Sequence, residues 1–521
     1  MSGGFIDRRS LLAAGAAGGL LMLPGCGGGS GSGDGPGKQP RRGGRLRLGI
    51  IDGERSGNLD AHKPVGLGST IRGFALYSKL WEWSSQMTPE LALAEESEVT
   101  PDARAWTVRL QKGLEFHNGK TITADDVIFS IRRLTDPALA SPYGSLVNQI
   151  DRDGLVKLDD RTVRIPVRDG QGFIALPDTW TNFGGIVPPD YHPVTNPVGA
   201  GPYKLRSPKD FVPGQRALFT RFENYFKPGQ PYADELEIVE FKDHTTRIAA
   251  LLAGQIDMAN ALSPEHIGLL ERDARARVLV SKTNGWQSFD MNLEAEPFRD
   301  PRIREAFRLI ADREDLVKRA LQGQGRIAND LYSPHDPTFD HAIPQRTHDP
   351  DRARSLLKAA GHDGLKVELV ASPASISAAL VYAEQAKRAG VEVAVKRVDN
   401  ATFIGPQRLK WGFSGGGAMG GGMLGLSWLP TGLHTDAPTS AANKTHFRDP
   451  EFGRLFSAAL AEPDTAKRTT LVHAAQRIQH ESGGMIIWGF FNTLDGIAAR
   501  VGGVQAEESH FPTWRFDKIW V

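Results

Sequence analysis

Residues 106–127, WTVRLQKGLEFHNGKTITADDV, carry three consecutive structural signals. Residues 106–110 alternate between apolar and polar side chains, a pattern that predicts a half-buried β-strand. Asn118-Gly119 follows and favours a tight hairpin turn. Thr123, with the acidic residues Asp125 and Asp126 after it, is typical of a helix N-terminus. A strand, a turn and a helix in this order predict a mixed α/β structure.

The flanking sequence extends this pattern in both directions. Residues 45–50 and 236–241 alternate like strands, and 156–165 reads as a hairpin around Asp159-Asp160. After about Met291 the chain changes character, with a strand predicted at 365–370, a helix at 378–389 and a strand at 391–395. Strands that alternate with helices indicate a parallel or mixed sheet covered by helices.

The N-terminus reads as an export signal. Arg8-Arg9 precedes an uncharged stretch, 11–23, that is too short to span a membrane. Paired arginines are what the twin-arginine export route reads. Cys26 is the single cysteine and stands where a bacterial lipoprotein signal places its lipidated cysteine, which predicts a signal over 1–26. An ordinary signal with an incidental cysteine is the alternative.

Residues 27–44, GGGSGSGDGPGKQPRRGG, predict a flexible linker behind that anchor. A Gly/Ser-rich chain of this length has an end-to-end distance of about 25 Å. The remaining residues, 45–521, are too many for one compact core, so two or three domains are expected. The linker would therefore hold a folded body away from a membrane surface.

Composition excludes several classes of protein. The chain has 62 Lys and Arg residues against 61 Asp and Glu residues, a net charge of +1, so nothing indicates a nucleic-acid partner. No fixed-period repeat is present, which argues against solenoids and propellers. Outside 11–23 no apolar run is long enough to span a membrane, so we expect a soluble mature body.

No catalytic or metal-binding motif is evident. Residues 113–121 look like a phosphate loop but have one residue too many between the glycines and lie in a predicted hairpin. Zinc-protease spacing and a serine nucleophile elbow are both absent, so neither an enzyme nor a cofactor is predicted. The glycine tract at 414–422 is either a flexible loop or a backbone laid open to a ligand.

Several sequence blocks keep a fixed order over most of 45–521. They are 89–92, 106–110, 112–119, 123–127, 196–203, 224–226, 251–257, 300–307, 310–313, 349–354 and 356–361. Their order, rather than any single motif, resembles a known family, the extracellular solute-binding proteins of family 5, the dipeptide and oligopeptide type that serves ABC importers.

The resemblance implies an α/β, two-lobed clamshell of the periplasmic-binding-protein type (class II, cluster C), in which the chain crosses the hinge twice. Lobe I would comprise 45–85, 196–288 and 487–521, and lobe II would comprise 289–486. An extra subdomain, 86–195, would be inserted into lobe I. Ligand would lie in the cleft between the lobes, and closure would bury it.

The resemblance also implies ligand-binding residues. In the family's peptide binders a Trp-x-x-Asp segment holds the ligand's ammonium group, and here Trp428 is followed by Thr431 where the carboxylate would stand. A threonine cannot pair a buried ammonium, so we expect a cargo without a free charged amino group, unless Asp436 substitutes. The other predicted ligand contacts are Gly415, Gly416, Gly417, Ala418, Trp488 and Phe490, although Trp488 fits core packing equally well.

The implied function is that of the substrate-binding component of an ABC importer. The protein would be an extracytoplasmic, lipid-anchored monomer that captures a peptide or other small solute and delivers it to a membrane permease. A secreted hydrolase or chaperone-like protein on the same scaffold is one alternative. A metal-chelate or haem binder is another, although the scattered histidines give it little support.

Overall fold

A computed structural model describes residues 39–52, 57–168, 170–181, 184–428 and 443–521. Arg8, Arg9 and Cys26 of the predicted export signal lie outside the described residues, as do Thr431 and Asp436. No helix in the described part of the chain combines the length and the apolar character needed to cross a membrane.

The strands of the described residues fall into one large sheet and two small ones. In chain order they are β1 (Arg45–Ile50), β2 (Trp81–Trp83), β3 (Pro89–Leu91), β4 (Ala94–Val99), β5 (Ala105–Leu110), β6 (Val156–Asp159), β7 (Thr162–Pro166), β8 (Tyr203–Leu205), β9 (Phe211–Val212), β10 (Arg216–Arg221), β11 (Glu235–Glu240), β12 (Met258–Ala259), β13 (Ala276–Met291), β14 (Gly325–Ile327), β15 (Lys366–Ala371), β16 (Glu392–Arg397), β17 (Phe413–Ala418) and β18 (Met485–Ala498).

The helices cover the faces of these sheets. In chain order the described α-helices are α1 (Gly66–Leu76), α2 (Ala124–Leu134), α3 (Leu176–Trp180), α4 (His244–Leu252), α5 (Ile267–Leu270), α6 (Pro301–Ile310), α7 (Arg313–Ala320), α8 (Pro350–Ala359), α9 (Ile376–Arg388), α10 (Asn400–Ile404), α11 (Pro450–Leu460) and α12 (Thr465–Ser482). A π-helical turn, Met423–Trp428, precedes α11.

Two long strands join the halves of the large sheet. The sheet order is β16-β15-β17-β13-β18-β12-β1-β11-β10-β8, so β13 and β18 lie at its centre and pair antiparallel along most of their length. Their register shifts between Lys282 and Trp286, which marks a bulge at 283–285. The two-lobed fold implied by the resemblance is confirmed. The lobe boundaries, and a double hinge crossing at this strand pair, stay predictions.

Residues 106–127 fold as their sequence pattern predicts. β5 contains residues 106–110, and Gly119 adopts a left-handed φ of +80° in the turn that follows. Thr123 caps α2 in a capping box in which the Asp126 carboxylate accepts the Thr123 backbone N–H at 2.8 Å. β5 lies in a four-stranded sheet of order β4-β5-β7-β6 within the predicted inserted subdomain.

The predicted β-α-β unit after residue 291 is also present. β15 and β16 pair in parallel and α9 connects them, and the large sheet is mixed because β17 and β18 each pair antiparallel with β13. Three clusters of buried apolar side chains fill the described structure. One of them joins the inserted subdomain to α11 and α12, through residues such as Trp180 and Phe456.

The first part of the glycine tract belongs to strand β17, so of the two alternatives the flexible loop is wrong for these residues. Strand β17 lies between β15 and β13 in the sheet, and its glycines Gly415, Gly416 and Gly417 pair with β13. A Cβ on Gly416 would lie 2.3 Å from Asp290 Oδ2 and one on Gly415 would lie 2.5 Å from Ser375 Oγ. The absent side chains therefore make room for neighbouring polar groups over the sheet.

Candidate ligand-binding site

A cavity of about 150 Å³ lies beside the bulge of the central strand pair. We call it the hinge cavity. It is lined by Leu67 of α1, residues 260–262 after β12, Met419 after β17, residues 491–495 of β18, and His510 and Trp514 of the C-terminal segment. Because these segments lie far apart in sequence, only the folded chain assembles the cavity.

Two glycines allow the chain to approach closely beside this cavity. A Cβ on Gly285, in the β13 bulge, would lie 2.5 Å from Phe491 Cζ and 2.9 Å from His510 Cε1. Gly420 has a φ of +75°, and its Cβ would lie 2.1 Å from the backbone oxygen of Asn284. The segment after β17 can therefore pack directly on the bulge, which brings Met419 to the cavity wall.

Asp495 is the charged side chain that lines the hinge cavity. Its Oδ1 accepts the Ala261 backbone N–H at 2.9 Å, whereas its Oδ2 has no hydrogen-bond partner in the described structure. The residue is 1% exposed. Burial raises the pKa of this carboxyl to about 7, although the nearby charge of Arg247 acts in the opposite direction.

Arg247 lies behind this wall. Its guanidinium donates to Asn260 Oδ1 at 3.2 Å and to the Ala261 backbone oxygen at 3.3 Å, and it forms no ion pair with Asp495. Burial lowers the pKa of Arg247 to about 10, so it stays protonated at neutral pH. It therefore fixes the loop that carries Asn260 and Ala261 and leaves Asp495 Oδ2 without a hydrogen-bond partner.

His510 faces the cavity as a neutral imidazole, because burial lowers its pKa to about 3. Its Nε2 contacts the Met419 backbone oxygen and its Nδ1 lies 3.1 Å from Thr493 Oγ1. A carbonyl oxygen can only accept, so Nε2 carries the proton and Nδ1 accepts from the hydroxyl. His510 thereby ties the segment after β17 to β18.

Two further lining residues have a buried polar atom without a partner among the described residues. They are Asn492, through Oδ1, and Trp514, through Nε1. The Trp514 ring packs on Phe511 at 4.9 Å and on Phe74 at 5.4 Å, which holds the indole in place. Buried polar atoms without partners are uncommon in folded proteins, so these groups are suited to bind a polar ligand or water.

The predicted ligand contacts lie elsewhere. Trp428 is fully buried, its Nε1–H donates to Gln479 Oε1 at 2.9 Å, and its ring packs edge-on against Phe452 and Phe456. Trp488 is fully buried in the core of the β15–β17 half of the sheet.

Phe490 is 4% exposed and lies near the guanidinium of Arg326. Gly417 and Ala418, at the exposed end of β17, precede Met419 directly. None of the predicted contacts that the structure describes lines the hinge cavity. Their contact with a ligand stays a prediction.

Sequence reasoning missed Asp495, His510 and Trp514. One signal was present for Asp495, an acidic residue in the otherwise uncharged stretch 485–498. The cluster His510-Phe511-Pro512-Thr513-Trp514 was a weaker signal, because aromatic side chains contribute to hydrophobic cores as well as to binding sites.

Comparison with known proteins identifies the chain's relatives. A sequence model of the bacterial extracellular solute-binding proteins, family 5 (middle region), matches residues 88–431. The chain belongs to this family. The predicted role, an extracytoplasmic substrate-binding component of an ABC importer, is confirmed, and the family is solute-binding rather than catalytic.

Three relatives illustrate the similarity. The glutathione-binding protein GsiB of Escherichia coli O1:K1 is 26% identical over 428 residues, which cover 78% of this chain and 81% of GsiB. Heme-binding protein A of Haemophilus influenzae is 26% identical, with coverage of 78% and 80%. The periplasmic binding protein DppA of Helicobacter pylori, solved with the peptide STSA, superposes with a TM-score of 0.78 at 20% identity and covers 92% of this chain and 98% of DppA.

Proposed function

We propose that the hinge cavity binds part of the transported solute, which is a peptide or another small polar molecule. The observation that carries this proposal is the composition of the cavity wall. Met419 follows β17, which lies on one side of the β13–β18 pair in the sheet. Leu67 and residues 260–262 belong to the other side, that of β12 and β1. A solute that contacts both sides favours the closed arrangement and buries itself in the process.

The polar groups of the cavity support this proposal. Asp495 Oδ2, Asn492 Oδ1 and Trp514 Nε1 are buried atoms of lining residues and have no hydrogen-bond partner among the described residues. Leu67, Leu262 and other apolar side chains form much of the remaining wall. An apolar pocket with a few placed polar groups is the usual form of a small-molecule site. Two relatives are named for glutathione and haem, and the structural neighbour DppA was solved with a peptide. These ligands agree with a solute that places only part of itself in the hinge cavity.

Replacing Leu67 with Trp tests the site. An indole at this half-buried position would fill the cavity, so we expect the affinity for the solute that co-purifies with the wild-type protein to fall by at least about 100-fold, about 2.8 kcal/mol. Mass spectrometry after mild denaturation identifies the solute, and calorimetry measures its affinity. Leu269→Trp is the matched control, because Leu269 is 51% exposed and outside the cavity. Unchanged affinity in Leu67→Trp would contradict the proposal.

We also propose that the protein is exported by the twin-arginine route and anchored as a lipoprotein through Cys26. The support is the position of a single cysteine between an apolar stretch and a Gly/Ser-rich linker. We expect Cys26→Ser to move the protein from the membrane fraction to the soluble fraction. Replacing Arg8 and Arg9 with Lys should block export. A Cys26→Ser protein that stays in the membrane fraction would contradict the lipid anchor.

The protein works as a monomer in this proposal and leaves its solute chemically unchanged. A family whose members bind solutes supports that view. Hydrolysis of ATP or of a peptide by the purified protein, lost on a substitution in the hinge cavity, would favour the rival class of a secreted hydrolase.

A further inference from the structure

Among the polar atoms of the hinge-cavity residues that lack a hydrogen-bond partner, acceptors outnumber donors. The unpartnered acceptors, Asp495 Oδ2 and Asn492 Oδ1, belong to one short stretch of β18. The imidazole of His510 is already engaged at both nitrogens, by Met419 and Thr493. The lining residues thus have two buried acceptors without a partner, one of them a carboxylate oxygen, against one such donor, Trp514 Nε1. A ligand group that has N–H donors would satisfy the excess of acceptors.

The volume of the cavity limits the size of that group. An engineered apolar cavity of about 150 Å³ binds benzene, so a cavity of about 150 Å³ accommodates a group of about six heavy atoms. A guanidinium that carries one or two further carbons, or an ammonium with four or five carbons, has this size. Its charge would remain next to Asp495 because most of the lining surface of the cavity is apolar, and opposite charges attract more strongly in surroundings less polar than water.

We infer that the hinge cavity is a subsite for a compact cationic group of the solute, an ammonium or a guanidinium, with the Asp495 carboxylate as its counter-ion and Asn492 as a second acceptor. This inference rests on the proposed function and specifies its ligand chemistry. It replaces the expectation, drawn from Thr431, that the cargo lacks a charged amino group, because a buried carboxylate is present at a different place in the fold.

The charges around Asp495 agree with this assignment. Arg247 faces it from α4 and donates to Asn260, Ala261 and His244, whereas its Nε has no hydrogen-bond partner among the described residues. His510 faces it from the C-terminal segment and is neutral, and His244, which contacts Arg247, has a pKa lowered by burial. The adjacent strand residue on β13 is the apolar Leu279. Asp495 therefore has no direct cationic partner in the described residues, and a ligand cation would supply one.

The raised pKa of Asp495, about 7, predicts the pH dependence of binding. Below this pKa the carboxyl is protonated in the free protein and cannot pair a cation. Cation affinity should therefore rise by about tenfold per pH unit up to neutral pH and level off above it. Arg247 and His510 keep their charge states over this range.

Asp495→Asn is the decisive variant because it should fold. Asn keeps an oxygen for the Ala261 N–H and removes a buried charge. A carboxyl whose pKa is raised on folding binds its proton more tightly in the folded state, so it lowers stability as pH rises from about 4 to about 7. The free energy of unfolding of Asp495→Asn at pH 8 should therefore equal or exceed that of the wild type. Asp273→Asn removes a surface carboxylate and is the matched control.

Saturation-transfer NMR titrations with methylguanidinium and its neutral analogue methylurea test the subsite. We expect methylguanidinium to bind the wild-type protein and Asp273→Asn, and its affinity for Asp495→Asn to be at least about 30-fold lower. Methylurea should bind none of them comparably. No binding of methylguanidinium, equal binding of methylurea, or unchanged binding to Asp495→Asn would overturn the inference. In those cases the proposed function would still stand if Leu67→Trp releases the co-purified solute, and it would fail if that variant retains it.

Discussion

Replacing Trp428 with alanine is expected to lower the free energy of unfolding by about 3–5 kcal/mol, the usual cost of removing a large buried aromatic side chain. The indole is fully buried between Phe452 and Phe456. Its loss leaves a cavity and removes the hydrogen bond to Gln479, whose side chain is itself buried. Denaturant unfolding followed by circular dichroism measures the effect.

Trp428→Phe is the matched control for this prediction. It keeps an aromatic ring against Phe452 and removes the N–H that donates to Gln479. We expect a smaller loss, about 1–2 kcal/mol. Calorimetry on both variants tests the sequence prediction that Trp428 contacts the ligand, which requires an affinity loss of about 1–3 kcal/mol. A stable Trp428→Ala protein with weakened binding would show that the indole serves the ligand rather than the core.

Replacing Gly420 with alanine is expected to cost about 2–4 kcal/mol of stability and to weaken solute binding. Two costs add at this position. A left-handed φ is unfavourable for alanine by about 1–2 kcal/mol, and Gly420 has a φ of +75°. The new Cβ would also lie 2.1 Å from the Asn284 backbone oxygen, which cannot rotate away.

Gly390→Ala separates these two costs. Gly390 has a φ of +77° but no atom within 4 Å of a Cβ, so only the backbone strain applies and about 1–2 kcal/mol is expected. Denaturant unfolding measures the loss in the free energy of unfolding of each variant. The difference between the two losses reports the close packing of Gly420 on the β13 bulge. Equal losses in both variants would contradict that packing.

Much of the fold could be predicted from the sequence because its signals are local. The Thr123–Asp126 capping box fixes the start of α2, and alternation fixes β1 and β5. The unit from β15 through α9 to β16 follows from the spacing of the apolar residues, which changes from the strand period to the helix period and back, and from Gly390 after the helix. Segment order then supplied the family and its two-lobed architecture.

The site could not be predicted in the same way because its walls come from distant segments. Leu67 and Trp514 are separated by most of the chain, and neither lies in a motif. The glycine tract misled for a different reason. Strand prediction depends on alternating side chains, and Gly415–Gly417 have none, although their neighbours Ser288, Asp290 and Ser375 require that absence.

The most direct measurement of the central claim is a crystal structure of the protein with the solute that co-purifies with it. We expect electron density for the solute within the hinge cavity, with a nitrogen of the solute within about 3.2 Å of Asp495 Oδ2 and one face against Trp514. A well-ordered solute bound elsewhere, with the cavity between Leu67 and Asp495 holding only water, would contradict it.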